Sequence, residues 1–332
     1  FVLVIGDNNT KLSGRIDKDS FSMGPSFASL KALGWDIIDL QDGNDLPKCL
    51  AAMEDALDRV ANNPKVPVAI HARTIKGIGV KSTVQSSSGG HGFPLKSPTE
   101  LPAFLSEILA GGHLPEELKN WMEELLAKEK ESAKSKTKSA VPDDKVQVDK
   151  IQSGISAAMI KAKKMGHKVV SVTSDLAGST GVAGFKKEFP NEVWDVGVAE
   201  ANMVSVATGF AKSGYIPVVD TFAQFGVTKG ALPLIMSSLS QAPIIAVFSH
   251  TGFQDAADGA SHQALCYLSM TASIPNVDVY CLSCADEAES LLFQAIEHLS
   301  QSHQQNKVAK SQIFFLGREN FPKKYKDGVN YQ

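Results

Sequence analysis

The sequence predicts an α/β protein with two doubly wound, mostly parallel-sheet domains. Three observations carry this. Strand-length apolar runs alternate with helix-period segments twice along the chain, a charged segment separates the two alternations, and polar motifs follow several of the apolar runs. In open α/β sheets ligands bind beyond the carboxyl ends of the strands, so these motifs point to one shared site.

The first alternation begins at once. Residues 1–5 form an apolar run of strand length, followed by the loop signal Gly6-Asp7-Asn8-Asn9. A short helix is expected over 26–33, ended by Gly34, and a strand over 35–40. Residues 46–62 carry Leu50, Met53, Leu57 and Val60 at helical spacing. A strand is expected over 66–71, then a Gly- and Ser-rich loop over 77–92. A strand-like run at Phe1, with no Met and no cap before it, suggests a chain that begins inside a domain.

Residues 115–136 read as a helix that turns Lys-, Glu- and Ser-rich. Residues 128–148 read as an exposed, charged linker between domains at 1–127 and 149–332. The second alternation places helices over 151–165, 203–213, 232–239 and 286–301. It places strands over 168–174, 216–221, 243–249, 277–282 and 311–316.

Composition excludes some classes. The 332 residues are 43% hydrophobic and 21% charged, with a net charge of -3, so nothing favours nucleic acid or an anionic membrane surface. No apolar run reaches the roughly 18–20 residues needed to span a bilayer. Cys281 and Cys284 have the spacing of a redox or metal pair, but no second such pair accompanies them. A reduced, cytoplasmic chain is the simpler expectation.

Glu200 stands in a mostly apolar run, Gly197-Val-Ala-Glu200-Ala-Asn-Met-Val204. A carboxylate there is either a helix-start residue favoured by the macrodipole or a functional group whose burial needs a partner. The run resembles the "AEQNM/AEANM" motif of transketolases. Other segments carry the same resemblance: Asp220-Thr-Phe-Ala-Gln-Phe225 is similar to "STFAAFF", Ser249-His250-Thr-Gly252 to "SHxG", and Asp258-Gly-Ala-Ser-His262-Gln263 to "DGPTHQ". In the first half, Arg73-Thr-Ile-Lys76-Gly-Ile-Gly79 resembles "KTxKGxG", and Gly90-His91-Gly-Phe-Pro-Leu95 resembles "xHGxPL".

The resemblance implies two domains of thiamine-diphosphate-binding type, one for the diphosphate (PP) and one for the pyrimidine (Pyr). The reaction it implies is transfer of a two-carbon glycolaldehyde unit from a ketose phosphate to an aldose phosphate through a thiamine-diphosphate ylid. Glu200 would then hydrogen-bond the aminopyrimidine and favour its imino tautomer, while Phe225, with Phe222 beside it, covers the ring. The family pattern places Asp175 near the thiazolium and Lys76 near the diphosphate or the substrate channel. Around the sugar it places His91, His250, Asp258 and His262. Ser179 and Arg318 match residues that bind the sugar phosphate. Mg²⁺ (or Ca²⁺), which takes oxygen ligands, would use the Asn8 side chain and the Thr10 carbonyl, with Asn9 as the alternative to Asn8.

The sequence also departs from the pattern. No Gly-Asp-Gly metal motif is present, and Ile151-Gln152-Ser153 replaces an "ATR" helix start, which removes a phosphate-binding arginine. The chain is expected to lack an N-terminal part and a C-terminal domain of the family. In the family the two halves of the site come from different subunits, so the resemblance implies a homodimer with an interfacial site. Two other expectations remain: a deoxyxylulose-phosphate synthase or 2-oxoacid dehydrogenase β-subunit type of enzyme, and a truncated, non-catalytic transketolase-like chain.

Overall fold

The computed structural model describes every residue except 13, 21–22, 87–89, 92–94, 96, 139–146, 256–257, 326–330 and 332. The chain divides into two compact units, Phe1–Asp143 and Asp144–Gln332.

The first unit holds a three-stranded parallel sheet of β1 (Val2–Asp7), β2 (Asp36–Leu40) and β3 (Val68–Arg73), in the order β1-β3-β2. Helix α1 (Gly24–Ala32) lies between β1 and β2 in the chain, and α2 (Leu46–Asn62) between β2 and β3. Sequence chemistry sets the start of α2: the Asp45 side chain accepts from the Lys48 N–H at 3.2 Å, and Pro47 occupies the first turn, where its missing N–H costs nothing. Ala52 and Ala56 bury their face of α2 in a small core with Val68, Ile70 and Ala72. The loop expected over 77–92 contains a short helix, Lys81–Gln85. Helices α3 (Leu101–Ile108) and α4 (Glu116–Lys138) follow.

The helix expected over 115–136 is α4, and it runs through the first part of the expected linker to Lys138. Residues 139–146 of that expected linker lie outside the described residues. Lys, Glu, Ala and Ser disfavour a buried core, not a helix, so a solvated polar helix satisfies the same composition.

The second unit is a doubly wound, six-stranded parallel sheet. Its strands are β4 (Val169–Thr173), β5 (Val193–Asp195), β6 (Ile216–Phe222), β7 (Ile245–Ser249), β8 (Val277–Cys281) and β9 (Ser311–Phe315), in the order β8-β9-β7-β6-β4-β5. The four inner strands are buried along their whole length, as near-continuous apolar runs require when both faces are covered. On one face α5 (Gln152–Lys164) and the last helix, Ala285–Gln304, pack on Val218, Ile245, Val247 and Phe314. On the other, Met203, Val204, Val227 and Leu234 pack on Val219, Ala246, Phe248 and Phe315. Alternate residues of each strand thus feed opposite cores.

β5 escaped the sequence reading. It is three residues long, lies at the sheet edge and leaves Trp194 exposed, so it carries no apolar run. Chain order reverses between β4 and β6: β5 lies outside β4 on one side, while β6 and β7 extend the other way. Among the described residues, no helix is long and apolar enough to cross a membrane.

Candidate functional site

The carboxyl edge of the second sheet gathers most of the predicted residues. β4 ends into Ser174 and Asp175, and the short helix α6 (Ala177–Thr180) carries Ser179. β5 leads through Gly197 to Glu200, the first residue of helix α7 (Glu200–Lys212). That helix begins a turn earlier than its apolar periodicity indicates. β6 ends at Phe222, and helix α8 (Ala223–Thr228) carries Phe225. β7 ends at Ser249, before His250, and β9 leads to Arg318.

Two of these residues have a left-handed backbone, Asp175 at φ 65° and His250 at φ 63°; Asn9, after β1, has φ 54°. Asp, His and Asn are the non-glycine types that tolerate this region best. Such conformations at three strand ends let the chain turn sharply and aim side chains over the sheet edge.

Glu200 is 3% exposed, and no described residue hydrogen-bonds or ion-pairs with its carboxylate. An uncompensated buried carboxylate is costly, and the helix N-terminus offsets only about 0.3–2 kcal/mol of that cost. The position therefore suits a partner that can hydrogen-bond the carboxyl group. Met203 and Val204, one turn along α7, share a core with Ala223 and Val227 of α8.

An aromatic cluster lies at the end of β6. The Phe222 and His250 rings have centroids 4.0 Å apart at 33°. Phe225 meets His262 edge-on at 5.0 Å and 83°, and lies 6.4 Å from Phe222 in a stacked orientation. Phe222 is buried, whereas Phe225 is partly exposed and has a face to offer a planar ring. Ser249 Oγ lies 2.8 Å from His250 Nδ1. Burial, with the Arg318 charge adding to it, lowers the His250 pKa to about 4, so the imidazole is neutral near neutral pH. Ser261 Oγ lies 2.9 Å from His262 Nδ1. Asp258 is exposed, with a carboxylate oxygen 4.0 Å from Arg318 Nη1.

Sequence reasoning missed Asp195 and underused Asp220. The Asp195 carboxylate accepts the backbone N–H groups of Asp175 at 3.1 Å and Gly197 at 3.0 Å, tying together the turns that carry Asp175 and Glu200. Asp220 is fully buried in β6 and accepts from Thr180 Oγ1 at 2.5 Å, Thr173 Oγ1 at 2.8 Å and Ser171 Oγ at 3.3 Å. Burial pushes its pKa up to about 6, against the three hydroxyl bonds. Its position, four residues into an apolar strand, was the available signal.

In the first unit, Lys76 Nζ lies 2.9 Å from His91 Nδ1; residues 92–94 of the adjoining motif lie outside the described residues. Asn8 Oδ1 accepts from the Thr10 N–H at 2.9 Å and from Thr10 Oγ1 at 2.5 Å, while Asn9 Oδ1 accepts from the Asp17 N–H at 3.0 Å. Asp7 is bonded to His71 at 2.9 Å. Asp7, Asn8, Asn9, Thr10, Asp17 and His71, but not Lys76 or His91, line a cavity of about 530 Å³ at the carboxyl ends of β1 and β3. Among the described residues no group of three or more His, Cys, Asp or Glu side chains is placed to hold a metal. The cysteines are free, and Cys284 is buried with its Sγ 3.4 Å from Tyr331 Oη.

The fit to a thiamine-type cofactor is therefore uneven. The second unit offers a buried carboxyl group and aromatic faces suited to a planar aminopyrimidine. The first offers an amide oxygen and a backbone carbonyl as hard-metal ligands, and that amide oxygen already accepts two hydrogen bonds.

Fold and site together define a doubly wound α/β protein that gathers a carboxyl group, aromatic rings and histidines at the strand ends of its second unit. Residues 150–305 match transketolase, pyrimidine binding domain. The chain is 30% identical to human transketolase-like protein 2 over 314 residues, covering 90% of this chain and 47% of that protein. It is 26% identical to 1-deoxy-D-xylulose-5-phosphate synthase of Syntrophus aciditrophicus over 295 residues, covering 88% of this chain and 38% of that protein. A solved transketolase from Leishmania mexicana aligns at TM-score 0.47 and 16% identity, over 99% of this chain and 52% of its own. Residues 150–305 are thus a pyrimidine-binding domain of transketolase type, and the chain spans about half the length, or less, of the curated relatives it matches.

Proposed function

We propose that this chain supplies the pyrimidine-binding half, and part of the diphosphate-binding half, of a cytoplasmic transketolase-type enzyme. That enzyme moves a two-carbon unit from a ketose to an aldose and works as a homodimer. The observation that carries the proposal is Glu200: a residue 3% exposed at a helix start, whose carboxyl group has no hydrogen-bond or ion-pair partner among the described residues, on a helix that shares a core with the helix of Phe225.

Thiamine diphosphate, when bound, supplies the carbon nucleophile and electron sink for cleaving the bond beside a ketone. Glu200 would hold a proton at the pyrimidine ring nitrogen, and Phe225 would cover one face of the ring. With Nδ1 turned toward Ser249, neutral His250 can use Nε2 to accept from or donate to a sugar hydroxyl. His262 and Asp258 would hold further hydroxyls. Asn8 and the Thr10 carbonyl are the proposed Mg²⁺ ligands, and Lys76 with His91 would line the approach to the site. Two histidines with an aspartate on neighbouring loops suit a polyol better than the smaller substrates of a synthase of the deoxyxylulose-phosphate type.

The test is calorimetric titration of the full chain with thiamine diphosphate and Mg²⁺, alongside ketose cleavage. Glu200→Gln should weaken cofactor binding at least tenfold, by about 1.4 kcal/mol or more. It should also lower turnover by about 10²-fold or more. Unchanged binding and turnover in this variant would refute the assignment.

A further inference from the structure

Helix α7, whose first residue is Glu200, starts without a capping side chain. Its N-cap is Ala199, which has no side-chain oxygen to accept the first N–H groups. The short helix α6 beyond β4 is entered in the same way, from Leu176. Each entry follows a residue of left-handed backbone, Gly197 at φ 76° before α7 and Asp175 at φ 65° before α6. A non-glycine residue stays in that region only where its surroundings hold it there. Asp195 supplies the holding group. It is the last residue of β5 and pairs in register with Thr173, the last residue of β4, so it stands where the two strands end side by side. One oxygen, Oδ1, accepts both turn N–H groups, from Asp175 at 3.1 Å and from Gly197 at 3.0 Å.

Neighbouring bonds complete each turn. The Val196 N–H donates to the Thr173 carbonyl at 3.0 Å and the Ala199 N–H to the Gly197 carbonyl at 2.7 Å, before the Met203 N–H reaches the Ala199 carbonyl and the helix begins. On the other side the Leu176 N–H meets Thr173 Oγ1 at 3.4 Å, and Thr180 Oγ1, at the end of α6, donates to Asp220. Hydrogen bonds to an ionised carboxylate are roughly twice as strong as neutral ones, so the Asp195 pair is the firmest link in the set. The two turns also flank the place where chain order reverses beside β4, and in open α/β sheets ligands bind there.

We infer that Asp195 is a positioning residue: through Oδ1 it fixes where Asp175 and Glu200 stand relative to each other, and it acts through them rather than on the ligand. This deepens the reading of Glu200 as the carboxyl group that meets the pyrimidine, and rests on it. The competing role is structural only, in which Asp195 holds β5 to β4 and nothing at Glu200 depends on it.

The experiment combines amide hydrogen exchange with calorimetric titration of thiamine diphosphate and Mg²⁺, on the full chain, for Asp195→Ala, Asp195→Asn, Glu200→Gln and the double variant Asp195→Ala/Glu200→Gln. Asp195→Ala removes the acceptor, so exchange at the Asp175 and Gly197 amides should rise about tenfold or more, and cofactor affinity should fall about tenfold or more. Asp195→Asn keeps a neutral oxygen for the Oδ1 position and should hold both amides, with cofactor affinity within about threefold of wild type. The double variant should bind no more than about threefold more weakly than Glu200→Gln alone, because a residue that acts through Glu200 then has nothing left to position. Additive losses in the double variant, no rescue in Asp195→Asn, or unchanged exchange at the two amides would each overturn the inference. If Asp195→Ala does not fold, the wild type and Asp195→Asn decide: one side-chain movement frees both amides, so their protection should agree within about threefold, and unequal protection overturns the inference. Weak binding by Glu200→Gln with normal binding by Asp195→Ala defeats this inference alone, whereas normal binding by Glu200→Gln defeats the cofactor reading beneath it.

Discussion

Two buried titratable residues set opposing pH dependences beneath the site. Asp220 titrates near pH 6 in the folded chain, above the ordinary carboxylate range, because burial disfavours its charge. The folded state then holds this proton more tightly than the unfolded chain. Its contribution is fully present at acid pH and is lost as pH rises from about 4 to about 6, by about 3 kcal/mol. His250 has the reverse sign: its pKa is lowered to about 4, so its contribution is present above about 6.5 and is lost as pH falls through that window. Stability of the wild-type protein should therefore change little between pH 4 and 6.5. Asp220→Asn removes one of the two opposing slopes. Denaturant unfolding of this variant should become steeply pH-dependent, with stability falling toward acid. A flat profile in the variant would contradict the His250 assignment, and a variant profile identical to a sloping wild-type one would contradict that of Asp220.

The residue scale also shows what sequence reading can detect. Glu200, His250 and His262 were visible because a charged or polar residue interrupts an apolar run or recurs in a short motif. Asp195 was not, because its function is to accept backbone N–H groups from two turns, and nothing in Val193-Trp-Asp-Val reveals which N–H groups will face it.

At the scale of elements, the glycine in α5 measures how closely two helices approach. The last helix, α9 (Ala285–Gln304), packs against α5. A Cβ on Gly154 would stand 2.1 Å from the Ala285 carbonyl and 2.9 Å from the Ala288 Cβ, both backbone-anchored positions on α9. Gly154→Ala should destabilise the protein by about 1–3 kcal/mol, since the helices must part to admit it. Gly209 lies in α7 with nothing within 4 Å of an added Cβ. Gly209→Ala should be neutral or stabilise by up to about 1 kcal/mol through helix propensity. Melting temperatures of the two variants decide the matter: equal shifts would mean that helix proximity does not control the response.

Elements with strong periodicity were legible almost to the residue. Helix 46–62 was expected and found at the same bounds, and the strands over 216–221 and 311–316 were each displaced by a single residue. Short elements without an apolar run or a helical period, such as β5 and the helix of Phe225, were not. Too few residues repeat for a period to emerge, and tertiary contacts decide their conformation.

For the molecule as a whole, the two units differ in how fully they bury their apolar surface. The second unit closes two cores around a six-stranded sheet, with β4, β6, β7 and β9 buried throughout. Among the described residues the first has one small core, and Leu46, Leu50 and Leu57 remain exposed on α2. Amide exchange should reflect this. The inner strands of the second unit should be protected to the level of global unfolding, while β1 and β2 exchange through cheaper local openings. Equal protection in the two units would show that apolar burial within each does not set its local stability.

The alternation of strands and helices and the residue types available for chemistry were legible in the sequence alone, because periodicity and side-chain chemistry are local properties. The sequence also supplied the motifs that pointed to the family. The packed chain was needed to show that Glu200 is buried with no partner among the described residues, that Asp195 ties two turns together and that Asp255 pairs with Arg318. Each of these joins segments distant in the chain, and the burial that gives such pairings their energy exists only once the sheet has formed.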